Sequence, residues 1–244
     1  MIEFTAATFG ELYADEYDDL HDPGTTEESV ALIHELAGSE TMLELAIGTG
    51  RMALPLAAQG HQISGIDGSA EMIDKLKAKP GGKQIPTLVG DFADVGLPGP
   101  FGFVFLVFNT LFNLTSQADQ IRCFKNVAAR LVPGGRFLIE TFVPDLIGFE
   151  NHQRVRPLHV GGHSVAFEIA RHDPVRQVLE MQRVRIAGGA TTLHPLPMRY
   201  AWPAEIDLMA QLAGLDLDSR WGGWQREPFT ANSEMHVSVY RKPA

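Results

Sequence analysis

Short apolar runs alternate with helical segments between residues 41 and 143, and this alternation constrains the fold more than any other feature. The run at 101–108 is almost continuously apolar, which is typical of a strand buried on both faces. Strands that alternate with helices predict right-handed crossovers and an α/β fold with a doubly wound, mostly parallel sheet. The predicted strands cover residues 41–47, 61–66, 85–89, 101–108 and 136–143, and the predicted helices cover 51–58, 70–79 and 116–131.

Two regions depart from the alternation. Residues 1–40 are acidic, and segments at 11–17 and 29–36 predict helix, the second ending at Gly38. Residues 150–200 contain two strand-like runs separated by turn residues, which predicts an antiparallel insertion after the fifth strand. We therefore divide the chain into an N-terminal helical lid (1–40), an α/β core (41–149 and 201–244) and an insertion (150–200) that forms part of the substrate site. The core is expected to close with a helix over 203–213 and strands over 215–221 and 235–241.

Composition narrows the classes of partner. The formal net charge of -10 disfavours a nucleic-acid partner, because an acidic surface repels phosphate backbones. The single cysteine, Cys123, excludes an internal disulfide framework and fits a reducing cytoplasm, where we expect the protein to reside. The first residues lack the pattern of a signal peptide, and no apolar stretch is long enough to span a membrane.

A glycine turn follows the first predicted strand. Gly48 and Gly50 allow a sharp turn and close approach to a ligand, and the next helix presents unpaired N–H groups there. The spacing Gly48-x-Gly50-x-x-Ala53 also fits the dinucleotide fingerprint, so a nicotinamide-dependent oxidoreductase stays open at this point. Against that reading, Glu44 would lie awkwardly close to a pyrophosphate, and the chain has no Tyr-x-x-x-Lys pair.

Two acidic residues follow the next strands. Asp67 ends the second predicted strand, where a carboxylate can accept hydrogen bonds from both ribose hydroxyls. Asp91, followed by Phe92, comes after the third strand and is placed to accept a hydrogen bond from an adenine amine. Together with the glycine turn, these acids predict a site for an adenosine-containing cofactor.

The order of these features resembles the class I S-adenosylmethionine-dependent methyltransferases. The resemblance covers residues 40–145 well: an acidic residue and glycine turn, a ribose acid, an adenine-side aspartate, and Pro133-Gly134-Gly135 before the fifth strand. It implies a Rossmann-like fold. Small-molecule members of the class, including the aminosugar N-methyltransferases, also carry an early tyrosine-rich helix and a strand insertion after the fifth strand. The chain resembles them in both features.

The resemblance also implies roles for individual residues. Glu44 would order the loop near the methionine amino group, Gly48 and Gly50 would lie under the methionine, and Arg51 is a candidate partner for its carboxylate. Gly68 and Met72 would flank the adenine. The chain departs from the family at Ala46, where glycine is common. The predicted cofactor site comprises Glu44, Ala46, Gly48, Gly50, Arg51, Asp67, Gly68, Met72, Asp91, Phe92 and Phe108.

Substrate should meet the methyl group after the fourth strand, at Phe108-Asn109-Thr110. Methyltransferases that act on nucleobase or glutamine amines typically carry Asn-Pro-Pro-Tyr here, and its absence favours a small-molecule substrate. We predict Asn109, Tyr13 and Tyr17 as catalytic candidates, with the two tyrosines one helical turn apart on one face. No histidine pair has the spacing of a helical metal site, so we expect no metal.

The sequence therefore predicts transfer of a methyl group from S-adenosylmethionine to a nitrogen or oxygen of a small molecule. The alternatives are the nicotinamide-dependent oxidoreductase and a non-catalytic protein that binds S-adenosylmethionine. Because the sulfonium is already activated, catalysis mainly requires alignment and exclusion of water.

Overall fold

The structure is a computed structural model that describes residues 8–14, 17–20 and 24–244. In this part of the chain, strands form one seven-stranded sheet and one four-stranded sheet. The strands are β1 Met42–Leu45, β2 Ile63–Asp67, β3 Thr87–Val89, β4 Phe101–Leu106, β5 Leu131–Phe142, β6 Gln153–Val160, β7 Ser164–Asp173, β8 Val178–Ala187, β9 Ala190–Arg199, β10 Asp216–Trp221 and β11 Met235–Arg241.

The seven-stranded sheet has the order β10-β11-β5-β4-β1-β2-β3. The five strands from β5 to β3 are parallel, whereas β11 runs antiparallel to β5 and β10 antiparallel to β11. This topology confirms the predicted doubly wound, mostly parallel sheet. The direction of winding reverses between β1 and β4, and ligands of open α/β sheets bind at the carboxyl ends of strands at such a point.

Seven α-helices are described, and three short 3₁₀ helices cover Gly82–Gln84, Phe92–Asp94 and Thr110–Asn113. Ser116 caps the sixth helix, because its Oγ accepts a hydrogen bond from the Asp119 N–H at 3.1 Å. The α-helices are α1 Thr8–Tyr13, α2 Tyr17–Leu20, α3 Thr26–Ala37, α4 Ala53–Ala58, α5 Ala70–Ala78, α6 Gln117–Arg130 and α7 Pro203–Leu212.

The N-terminal region differs from the prediction. A single helix over residues 11–17 is wrong: α1 ends at Tyr13, Ala14 is a turn residue and α2 begins at Tyr17, while residues 15 and 16 lie outside the described residues. Tyr13 and Tyr17 therefore do not share one helical face. Each tyrosine instead contacts a different part of the protein, so tertiary contacts override the helical spacing.

The two faces of the seven-stranded sheet carry separate apolar layers. Along β4, Phe103 and Phe105 pack with α3 and α4, whereas Val104 and Leu106 pack with α6 and α7. Alternate side chains of a strand point to opposite faces, so a continuous apolar run is buried only if both faces are covered. The sheet is therefore packed on both faces and supports the loops at the carboxyl ends of its strands.

The insertion forms the four-stranded antiparallel sheet, in the order β6-β7-β8-β9. The sequence pattern predicts its inner strands, β7 and β8, but misses β6 and β9. Pro157 lies in β6, and Pro195 and Pro197 lie in β9. Proline has no N–H group to donate to a neighbouring strand, so the local sequence does not predict strands there. Because β6 and β9 are edge strands, proline is tolerated there. No helix in the described ranges is long and apolar enough to cross a membrane.

Candidate active site

The loop after β1 is held by the carboxylate of Asp67 at the end of β2. Asp67 Oδ2 accepts a hydrogen bond from the Gly48 N–H at 2.8 Å, and Oδ1 accepts one from the Ser69 N–H at 2.9 Å. Burial raises the pKa of Asp67, and these two N–H groups partly oppose that rise. A carboxylate oxygen can accept more than one hydrogen bond, so Asp67 can hold the loop and also bind ribose hydroxyls.

The backbone conformation at Ala46 makes the departure from glycine energetically costly. This residue has φ +54°, in the left-handed region that a Cβ atom disfavours by about 1–2 kcal/mol. Glycine adopts this conformation without that cost, which accounts for its frequency at this position in the family. Gly50 has φ +86°, and a Cβ there would lie 2.2 Å from Leu76 Cδ1. The positive φ and the close approach of Leu76 both favour glycine at position 50.

A cavity of about 300 Å³ opens at the carboxyl edge of the sheet, above β1, β2 and β4. Eight residues of the predicted cofactor site line it, and its other walls come from the N-terminal helices, the segment after β4, α6 and the insertion. The predicted residues in the lining are Ala46, Gly48, Asp67, Gly68, Met72, Asp91, Phe92 and Phe108, together with Tyr17 and Asn109. Glu44, Gly50, Arg51 and Tyr13 are not among the lining residues.

Asp91 is engaged with a residue that the sequence did not point to. Its Oδ1 accepts a hydrogen bond from the Ala93 N–H at 2.9 Å, and its Oδ2 pairs with Arg122 Nη2 at 3.0 Å. Arg122, on α6, also pairs with Asp94 and Asp119. Both Asp91 and Arg122 line the cavity. The spacing of Asp119 and Arg122 predicts a helical ion pair, but nothing in the sequence connects that pair to Asp91.

The segment after β4 adopts an unusual backbone path. Phe108 and Asn109 have φ +61° and +62°. The Phe108 N–H donates to Glu140 Oε2 at 2.5 Å, and the Phe142 N–H donates to Asn109 Oδ1 at 2.5 Å. These bonds to β5 hold two non-glycine residues in left-handed conformations, and strain of this kind clusters at functional sites.

The charge of Arg51 interacts with two carboxyl groups, those of the buried Glu44 and the partly buried Glu140. Burial raises the pKa of Glu44 well above its usual range, and burial also raises the pKa of Glu140. The Arg51 charge opposes both shifts. Arg51 itself lies over the Phe108 ring, 5.2 Å from its centre, and donates to Thr26 Oγ1 at 3.1 Å. Sequence reasoning missed Glu140, which lies inside an ordinary strand pattern.

The two tyrosines occupy different places. Burial raises the pKa of Tyr17 to about 12, and Tyr17 lines the cavity. Tyr13 is buried, its hydroxyl donates to the Pro195 carbonyl at 2.8 Å, and its ring stacks on His194 with centres 5.1 Å apart. Tyr13 therefore joins α1 to β9 of the insertion.

Comparison with known proteins identifies the family. The methyltransferase domain family matches residues 42–135, which include the glycine turn, Asp67 and Asp91. The chain is 30% identical over 221 residues to the cypemycin N-terminal methyltransferase of a Streptomyces species, covering 86% of each chain. The chain belongs to the S-adenosylmethionine-dependent methyltransferases.

Two solved methyltransferase structures resemble this chain over nearly its full given length. The CcbJ methyltransferase from Streptomyces caelestis is 36% identical, with a TM-score of 0.92 and coverage of 99% of this chain and 100% of that one. The sugar N-methyltransferase KedS8 from Streptoalloteichus sp. shares the fold at 15% identity, with a TM-score of 0.67 and coverage of 100% and 96%. The predicted resemblance is confirmed, and neither the oxidoreductase nor the non-catalytic binder is favoured. The part of the methyltransferase that the structure describes contains no cluster of three or more metal-ligating side chains.

Proposed function

We propose that this methyltransferase transfers a methyl group to the nitrogen of a small-molecule amine. The observation that carries the proposal is the character of the cavity lining, which includes no histidine among the described residues. Its acids are already engaged: Asp67 holds the glycine turn, and Asp91 and Asp119 pair with Arg122. An amine needs only to arrive neutral, whereas a hydroxyl acceptor needs a base to take its proton.

The relatives and the charge of the chain support the same acceptor. The cypemycin relative is named an N-terminal methyltransferase, and KedS8 is named a sugar N-methyltransferase. The net charge of -10 disfavours a nucleic-acid acceptor.

The residues of the site fit S-adenosylmethionine. Among the described residues, the buried Glu44 Oε2 has no hydrogen-bond partner, and a buried carboxylate oxygen without a donor is costly. The methionine ammonium group would supply that donor. Asp67 would hold the ribose, while Gly68, Met72, Asp91 and Phe92 would surround the adenine. Arg51 donates to Thr26 and lies over the Phe108 ring, so we assign its charge to offsetting the carboxyl groups of Glu44 and Glu140.

S-Adenosylmethionine, when bound, supplies a methyl group that is already activated by its sulfonium. The residues of the chain orient and shield the partners. Tyr17 stays protonated at neutral pH because burial raises its pKa to about 12, so it would orient the amine through its hydroxyl without acting as a base. Asn109, held by the Phe142 N–H, would fix the segment where the acceptor enters. Tyr13, through Pro195, would keep the N-terminal helices and the insertion closed over the site.

The pH dependence of turnover tests the acceptor. With primary amines as acceptors, we expect kcat/KM to rise with pH and to level off at the pKa of each amine, because only the neutral amine attacks. The profile should move with the acceptor, since Tyr17 remains protonated below about pH 12. The measurement is the initial rate with two amines that differ in pKa, together with mass spectrometry of the product. Methylation of matched alcohols in preference to the amines would contradict the proposal.

The tyrosine hydroxyls should affect turnover more than cofactor binding. For Tyr17→Phe we expect kcat to fall about tenfold while the Kd for S-adenosylhomocysteine changes less than about threefold, because one hydrogen bond to the acceptor is lost. For Tyr13→Phe we expect a smaller loss of kcat, since its hydroxyl donates to the Pro195 carbonyl and Tyr13 does not line the cavity. Steady-state rates and isothermal titration measure the two quantities. A Tyr17→Phe variant that loses cofactor affinity and keeps kcat would place this hydroxyl at the cofactor instead.

A further inference from the structure

The insertion carries a row of polar side chains on the face that turns toward the cavity. In the strand register, Glu168 of β7 lies opposite Arg156 of β6 and Arg183 of β8, and Arg183 lies opposite His194 of β9. Cross-strand partners project from the same face of a sheet. Since Arg183 lines the cavity, this row leads into the active site.

Positive charge exceeds negative charge around the buried Glu168. Its Oε1 lies 3.6 Å from Arg156 and 4.0 Å from Arg154, and its Oε2 lies 3.7 Å from Arg183. Three guanidinium groups thus face one carboxylate, at distances too long for good hydrogen bonds. Arg154 has other partners, because it donates to the Asp145 and Ile147 carbonyls.

Arg183 is the member of this group that lines the cavity. Its Nε is buried and has no hydrogen-bond partner among the described residues. The neighbouring lining residues from the insertion, Leu196 and Met198, are apolar and offer it no acceptor. Glu168 holds Arg183 by charge alone and does so on the Nε side of the guanidinium, which leaves its two Nη groups as the donors for a ligand.

We propose that the acceptor carries an oxyanion group, a carboxylate or a phosphate, that binds Arg183 while its amine faces the methyl group. A guanidinium binds either oxyanion through two parallel N–H···O bonds. Arg122 also lines the cavity, but it is paired with Asp91, Asp94 and Asp119, so Arg183 is the lining arginine with donors left for an anion. The inference rests on the proposed function for the amine, whereas the oxyanion site itself does not.

The test uses the full chain saturated with S-adenosylhomocysteine, titrated separately with benzoate and with inorganic phosphate. We expect the wild-type protein to bind at least one of them, and the preferred anion distinguishes a carboxylate from a phosphate acceptor. Arg183→Gln should weaken that binding about 10- to 100-fold. Arg183→Lys keeps the positive charge but loses the planar guanidinium. Its anion affinity should therefore lie between those of wild type and Arg183→Gln. Both variants should bind S-adenosylhomocysteine within about twofold of wild type.

Arg185→Gln is the matched control, because Arg185 is exposed, lies two residues further along β8 and does not line the cavity. It removes the same charge and should leave anion binding unchanged. Equal losses in the Arg183 and Arg185 variants, no anion binding to wild type, or a parallel loss of S-adenosylhomocysteine binding in Arg183→Gln would each overturn the proposal. Anion binding that depends on Arg183, without methylation of any amine, would retain this site and refute the amine acceptor instead.

Discussion

Replacing Asp67 by alanine is expected to weaken the binding of S-adenosylhomocysteine about 30- to 150-fold, equivalent to about 2–3 kcal/mol. Asp67 is buried, lines the cavity, and holds the Gly48 and Ser69 N–H groups. The alanine variant therefore loses the ribose contact and also releases the glycine turn. Isothermal titration of the purified, folded variant measures the loss.

Two further variants separate the causes of that loss. Asp67→Asn keeps one acceptor oxygen and the shape of the side chain, so its affinity should lie between those of wild type and the alanine variant. Asp74→Ala removes an exposed carboxylate from α5 without touching the cavity, and it should bind S-adenosylhomocysteine like wild type. If Asp67→Ala binds as tightly as Asp74→Ala, the assignment of Asp67 to the ribose is refuted.

The core of the fold follows from local sequence patterns. The apolar run at 101–108 predicts a strand covered on both faces, and β4 is sandwiched between two helical layers. The glycine turn and Asp67 were predictable because a parallel sheet always brings loop and acid to the same carboxyl edge. The predictions fail where a tertiary contact overrides the local signal, as in the edge strands β6 and β9.

The rest of the site depends on pairs that are far apart in the chain. Arg122 reaches Asp91 across 31 residues, and Glu140 receives the Phe108 N–H across 32. Each of these residues fits its own helix or strand without any unusual feature. Arg183 is equally inconspicuous in sequence, since alternation along β8 predicts its face but not what that face meets. Only the packed structure shows that these side chains converge on one cavity.

Glu44 links stability to cofactor binding, and Glu44→Gln is expected to change the two in opposite directions. A carboxyl group with a raised pKa in the folded state makes the protein less stable as pH rises above the ordinary pKa of glutamate, because the unfolded chain then loses its proton first. Glutamine removes this penalty. We therefore expect the unliganded variant at pH 8 to be more stable by about 2 kcal/mol, an increase in Tm of about 4–8 °C.

The same substitution should weaken S-adenosylhomocysteine binding about 30-fold, because a neutral amide replaces the carboxylate that would bind the methionine ammonium. Thermal melts between pH 4 and pH 8 should show the stabilisation shrinking toward acid pH, because wild-type Glu44 becomes protonated in both states below the ordinary pKa of 4.5. Glu234→Gln, at an exposed carboxylate, should show neither change. If Glu44→Gln instead lowers Tm and leaves S-adenosylhomocysteine affinity intact, Glu44 serves only to order the loop through the Ala53 N–H, and its unpaired oxygen is not a cofactor contact.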